Sequence, residues 1–183
     1  MATFCEPPSR ARVLIPARYF FCPRIIRRIP AWEEELQHPA VCGVVFIMSV
    51  ADFSKKGEFS ASSRLVEALD LLNTCLEQTP AMRDLPLVVM LNKADLFEER
   101  LERNKFRHFV QVYPKDLSNS PYEVNDWLQH AITKTNVFLK ARHGTISCFL
   151  TQATDVSQAR NMITNVFNAI LMEAMEGGMG LEM

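Results

Sequence analysis

From residue 32 onward, apolar residues alternate between two patterns, continuous runs and helical stripes. Residues 41–50, VCGVVFIMSV, are apolar and rich in β-branched side chains, which predicts a strand buried on both faces. The polar stretch ADFSKKGEFSASS follows as a loop. Leu65, Ala68, Leu69, Leu72 and Leu76 then recur at helical spacing and predict an amphipathic helix over residues 62–78, ended by Pro80. Residues 85–91, LPLVVML, read as a second buried strand, and the charged stretch 97–109 as a short surface helix. Ser120, Pro121 and Glu123 form a capping box with proline at the first helical position. Val124, Trp127, Leu128, Ala131, Ile132 and Phe138 continue that helix. Residues 145–150, TISCFL, are a third strand. A stripe from Met162 to Met175 marks a last helix, with Asp155 and Gln158 near its start and Gly177-Gly178 as its stop.

Strands that are apolar throughout and alternate with helices imply an α/β fold, a parallel sheet covered by helices on both faces. Ligands of such sheets bind at the carboxyl ends of the strands. Residues 1–31 differ in kind. They show no sustained period, only the short clusters Val13-Leu14-Ile15 and Tyr19-Phe20-Phe21 between prolines. The domain division expected is an irregular basic, proline-rich segment over residues 1–31 and a folded unit over residues 32–183.

Composition narrows the partners. At 183 residues with 48% hydrophobic and 22% charged, the chain suits one globular domain with a real core. A net charge of −1 gives no global basic field, so a nucleic-acid partner is not expected. The charge is uneven, because Arg10, Arg12, Arg18, Arg24, Arg27 and Arg28 oppose only Glu6 before residue 31. Five scattered cysteines without a CxxC pair suggest reduced thiols, and the four histidines show no ligand spacing, so no metal site is read here. The longest apolar stretch, residues 40–51, is too short for a transmembrane segment. The start lacks the uninterrupted apolar region of a secretory signal, its prolines weaken a transit-peptide reading, and Ala2 stands where myristoylation needs glycine.

The strand ends carry the chemistry. After the second strand comes Asn92-Lys93-Ala94-Asp95, an NKxD sequence, and after the third Thr151-Gln152-Ala153-Thr154-Asp155. A carboxylate at Asp95 can accept two hydrogen bonds from guanine, from N1–H and from the exocyclic amine. Adenine offers neither donor there and would leave the carboxylate unpaired. Asn92 can orient the loop, the Lys93 stem can lie over the base, and the Ala153 backbone N–H can donate to guanine O6. The expected cofactor-binding residues are Asn92, Lys93, Ala94, Asp95 and Ala153; no catalytic or metal residue is assigned.

With both loops in place, the chain resembles the carboxyl-terminal half of heterotrimeric G-protein alpha subunits. Val44-Val45-Phe46 through Ala51-Asp52-Phe53 is similar to the strand and SDYD-type loop of that family. Leu91 to Arg100, LNKADLFEER, is similar to its LNKxDLFEEK segment, residues 151–155 to its TCATD loop, and Gly180-Leu181 to its CGLF tail. The resemblance covers roughly residues 32–183 and implies a partial P-loop GTPase (Ras-like) fold with three legible parallel strands. It implies a signal transducer that binds GTP or GDP with Mg²⁺, in the cytoplasm or at the inner face of the plasma membrane. Its partners would be a G-protein-coupled receptor, met by the last helix and tail, and the G-protein beta-gamma complex.

The sequence departs from the family elsewhere. It contains no GxxxxGK[ST] phosphate loop. The stretch that resembles the DxxGQ region, residues 20–32, keeps basic residues and Trp32 but no acidic residue, glycine or glutamine. The arginine finger and the magnesium-binding threonine have no counterpart either. Phosphoryl transfer depends on positioning and charge stabilisation by such groups, so weak nucleotide binding and no hydrolysis are expected. The alternative is a nucleotide-free interaction module, or a non-functional remnant of an alpha subunit. A strand buried on both faces would also stand at a sheet edge, unless residues 13–15 or 19–21 pair with it.

Overall fold

The structure, a computed structural model, describes residues 41, 43–135, 137–139 and 146–152, with isolated positions at 161, 164, 165 and 168. Residues 1–40 lie outside this set, and so do the two short clusters that were candidates for pairing at the sheet edge. Three strands, β1 (Val44–Ser49), β2 (Leu87–Asn92) and β3 (Ile146–Thr151), form one sheet in the order β1-β2-β3. Both pairings are parallel, and the register puts Val44, Leu87 and Ile146 in one row and Ser49, Asn92 and Thr151 in another. The carboxyl ends of all three strands therefore finish level, so the loops that follow them share one edge.

The helices are α1 (Arg64–Gln78), the single turn α2 (Pro80–Asp84), α3 (Ala94–Arg103) and α4 (Pro121–Thr133). A 3-10 turn, Val50–Ser54, continues from β1, and another spans Phe106–His108. α1 starts where Ser63 Oγ accepts from the Val66 amide, one residue beyond the predicted start. Pro80 does end α1, but it also opens α2 at its first position, where a missing N–H costs nothing. Arg83 of that turn donates to the Leu76 and Glu77 carbonyls at 2.7 and 2.6 Å, satisfying acceptors that the end of α1 leaves open.

The capping box of α4 is present in altered form. Ser120 Oγ accepts from the Glu123 amide at 3.2 Å. The Glu123 carboxylate, however, takes the Ser118 amide at 2.6 Å, because the Ser120 amide already donates to Ser118 Oγ. Ser120 thus caps through its hydroxyl alone, and the carboxylate ties down the turn before it.

The helices pack on one face of the sheet. Val44, Met48, Leu87, Val89 and Leu91 meet the apolar stripes of α1, α3 and α4 in a single buried cluster. The charged stretch expected to be helical over residues 97–109 is α-helical only to Arg103, in a helix that starts at Ala94, and its apolar positions Phe97 and Leu101, four residues apart, are buried. Phe97, Phe53 and Phe106 pack with ring centroids 5.1–6.3 Å apart, and Phe106 continues the cluster to Tyr113 and Trp127. Charge dominates the composition there, so the aromatic core hides between the charges.

The opposite face carries Val45, Val88 and Met90, with Ile47 and Phe149 beside them. Among the described residues no helix joins that cluster. Most of the expected last helix is outside the described set. Its described positions Asn161, Thr164, Asn165 and Asn168 are helical and exposed, the polar complement of the predicted stripe. No helix among the described residues is long and apolar enough to cross a membrane. The described cysteines, Cys75 and Cys148, are free thiols whose burial pushes their pKa up to about 11 and about 12.

Candidate functional site at the strand ends

The site grows out of the row Ser49, Asn92 and Thr151. Asn92 closes β2, and Thr151 Oγ1 donates to its side-chain oxygen across a 3.4 Å separation. That contact ties the end of β3 to the end of β2, a role for Thr151 that sequence spacing alone does not reveal. Lys93 follows with φ 68° and ψ 47°, the sole non-glycine residue of positive φ among those described. A left-handed conformation costs a Cβ-bearing residue roughly 1–2 kcal/mol. It turns the chain at once from strand to helix, and the Lys93 carbonyl accepts from the Phe97 amide at 3.0 Å to begin α3. Asp95 then lies in the first turn of α3, near the positive end of the helix dipole.

Both Lys93 and Asp95 are exposed, whereas Asn92 and Ala94 are half-buried. Neither the Lys93 nor the Asp95 side chain makes a hydrogen bond or ion pair among the described residues. Lys93 and Asp95 therefore project exposed polar side chains from a fixed backbone, while Asn92 is engaged with Thr151. Ala153 lies outside the described residues, so the second half of the expected base contact stays an expectation.

The loop after β1 sits beside them. Asp52 is sheltered, with its side chain 13% exposed; Lys55 Nζ stands 2.9 Å and Arg100 Nη1 3.2 Å from the same carboxylate oxygen. Burial pushes the Asp52 carboxyl up, but Lys55, then Lys93 and Arg100, outweigh it and hold the group below the ordinary aspartate value. Arg100 also donates to the Ala51 carbonyl at 2.6 Å. Further along, the Gly57 amide bonds to the Ser62 carbonyl at 2.7 Å, so close that a Cβ at Gly57 would meet that oxygen at 2.8 Å. The Glu67 carboxylate accepts the Glu58 and Phe59 amides, and Arg64 pairs with Glu58 at 2.7 Å.

Between these loops lies an open cleft of about 370 Å³. Asp52, Glu58, Arg64, Lys93, Ser49 and Asn92 supply its polar wall, and Ile47, Met48 and Ala68 its apolar floor. Ser49 Oγ is shielded from solvent and has no hydrogen-bond partner among the described residues. Its charges balance, two carboxylates against two cations, which suits a polar ligand better than a bare polyanion. Among the described residues no three His, Cys, Asp or Glu side chains gather into one cluster.

The parallel α/β sheet brings Asn92, Lys93, Ala94 and Asp95 to the carboxyl end of β2, the edge where ligands of such sheets bind. The family model described as G-protein alpha subunit matches residues 31–170. Similar proteins include the guanine nucleotide-binding protein alpha-3 subunit of Neurospora crassa, 26% identical over 137 residues that cover 74% of this chain and 36% of that protein. The alpha-2 subunit of Schizosaccharomyces pombe is 27% identical over 143 residues, 76% of this chain and 39% of that protein. The alpha-1 subunit of Kluyveromyces lactis is 28% identical over 81 residues, 44% of this chain and 18% of that protein. The chain belongs to the G-protein alpha subunit family, and it spans well under half the length of these curated relatives.

Proposed function

We propose that the chain reads guanine through Asn92, Lys93, Ala94 and Asp95, with Ala153 completing the contact, as part of an alpha-subunit-type signal transducer. The observation that carries the reading is the state of Asp95. Its carboxylate is exposed at a helix start, directly after a backbone turn held in an unusual conformation. An acceptor so placed meets the paired donors of guanine N1–H and its amine, and it repels the acceptor edge of other bases. Lys93 covers the base plane with its methylene stem, and Asn92, tied to Thr151, keeps the two loops in register.

GTP and GDP are the proposed ligands, held mainly at the base. Phosphate grip is weak in this proposal, because Arg64 and Lys93 face carboxylates across the cleft and the sequence has no GxxxxGK[ST] loop. Hydrolysis is absent from it for the same chemical reason. Receptor docking through the carboxyl-terminal helix, and any contact with a beta-gamma complex, are proposed by family membership alone.

Calorimetry of the 183-residue chain with GDP, ADP and xanthosine diphosphate tests the base reading. Heat with GDP and none with the other two is expected; equal uptake of ADP overturns it. Single-turnover hydrolysis of labelled GTP tests the second part, with no rate above buffer expected. The nucleotide-free interaction module is the reading that survives if GDP gives no heat.

A further inference from the structure

We propose that Asp52 is a positioning residue for the guanine-reading loop, acting through Arg100 to lock the start of α3 against the end of β1. The inference rests on the reading of residues 92–95 given above, and adds a residue outside that motif. Lys93 holds a left-handed backbone, and such conformers persist where the surroundings over-determine them. On one side Asn92 is fixed in the sheet between Ser49 and Thr151. On the other side α3 begins immediately, so the loop is only as firm as the seat of α3.

That seat is the turn Val50–Ser54. Arg100, about two helical turns beyond Lys93, donates to the Ala51 carbonyl at 2.6 Å and to Asp52 Oδ1 at 3.2 Å. Phe53 of the same turn packs edge-on against Phe97 at 5.7 Å. β1, the turn, α3, Lys93 and Asn92 thus form a closed mechanical circuit, since Ser49 and Asn92 are neighbours in the ladder. Asp52 is its polar joint. Its carboxylate holds Arg100 from α3 and Lys55 from its own loop, and it shares the cleft wall with Lys93. Without it Arg100 keeps a single carbonyl, and Lys93 loses the anion that faces it.

Hydrogen exchange of the unliganded chain reads the joint directly. Asp52→Ala is expected to speed exchange at the Phe97 amide, which bonds to Lys93, by about tenfold, with rates in β2 and α4 unchanged. Asp52→Asn keeps the size of the side chain and covers the case in which the alanine variant fails to fold; its expected change has the same sign and is smaller. Glu99→Gln removes one charge from the exposed pair with Arg103 and is expected to leave Phe97 unmoved. Additive effects of Asp52→Ala and Arg100→Ala would overturn the proposal, as would an unchanged Phe97 rate in both Asp52 variants. GDP calorimetry on the same proteins separates the two readings. Affinity about tenfold weaker in Asp52→Ala, or about 1.4 kcal/mol, is expected. A wild-type chain that takes up no GDP while Phe97 exchange responds sinks the guanine reading and keeps the positioning role. Equal GDP affinity in wild type and Asp52→Ala does the reverse.

Discussion

The loops after β1 and β2 leave the same edge of one sheet and are built in opposite ways. After β1 most of the charged side chains are paired internally. Asp52 is matched by Lys55 and Arg100, Glu58 by Arg64, and the Glu67 carboxylate by two backbone amides. After β2 the backbone is fixed just as firmly, but Lys93 and Asp95 project into solvent. A loop that satisfies its own polar groups serves the fold. A loop whose backbone is held and whose side chains stay available serves recognition, with its ordering cost met before the ligand arrives.

The most destructive way to break this contrast is to remove what both loops share. Phe53 of the first and Phe97 of the second lie in the same aromatic cluster. Phe97→Ala is expected to cost about 3–5 kcal/mol, read as a lower urea midpoint. Loss of order in only one loop, followed by hydrogen exchange, would show that they are not mechanically joined. Next in size is a change on the second loop alone. Asp95→Asn is expected to weaken GDP about a hundredfold, roughly 2.7 kcal/mol, and to leave the urea midpoint within about 0.5 kcal/mol of wild type. It should also favour xanthosine diphosphate, whose 2-oxo group accepts from the new amide where guanine would donate. A large loss of stability in this variant would place Asp95 with the structural loop instead.

The contrast was only half legible in the sequence. Apolar runs and helical stripes located the strands within a few residues, because burial on a sheet or along a helix face leaves a period behind. NKAD was legible for the same kind of reason, as contiguous residues directly after a strand. The joint between Asp52 and Arg100 left no such trace, since 48 positions separate the two and only the parallel register brings them together. The buried role of Phe97 and Phe106 was masked by the surrounding charges. The left-handed turn at Lys93 was not legible either, as lysine carries no preference for it.

A change remote from both loops sharpens the comparison by sparing it. Ser120 Oγ caps α4 through the Glu123 amide, and Ser120→Ala is expected to cost about 1 kcal/mol of stability. GDP affinity should stay at the wild-type value, because α4 packs on the helix-covered face and not at the strand ends. A drop in affinity would mean that the binding edge senses stability in general.

The smallest effect expected is a pH dependence carried by the first loop. Burial raises the Asp52 carboxyl, while Lys55, Lys93 and Arg100 together bring it below its ordinary value in the folded chain. The unfolded chain, with a carboxyl near 3.9, therefore binds the proton more readily than the folded one. The stability contributed by Asp52 is complete above that unfolded value and falls away as the pH drops through the lower, folded one. Asp52→Asn removes the titrating group, so its urea midpoint should be lower than wild type at neutral pH and should decline less steeply below about pH 4. Parallel acid limbs for the two proteins would show that the carboxylate is not held by its three cations, and that the first loop is less satisfied than its distances imply.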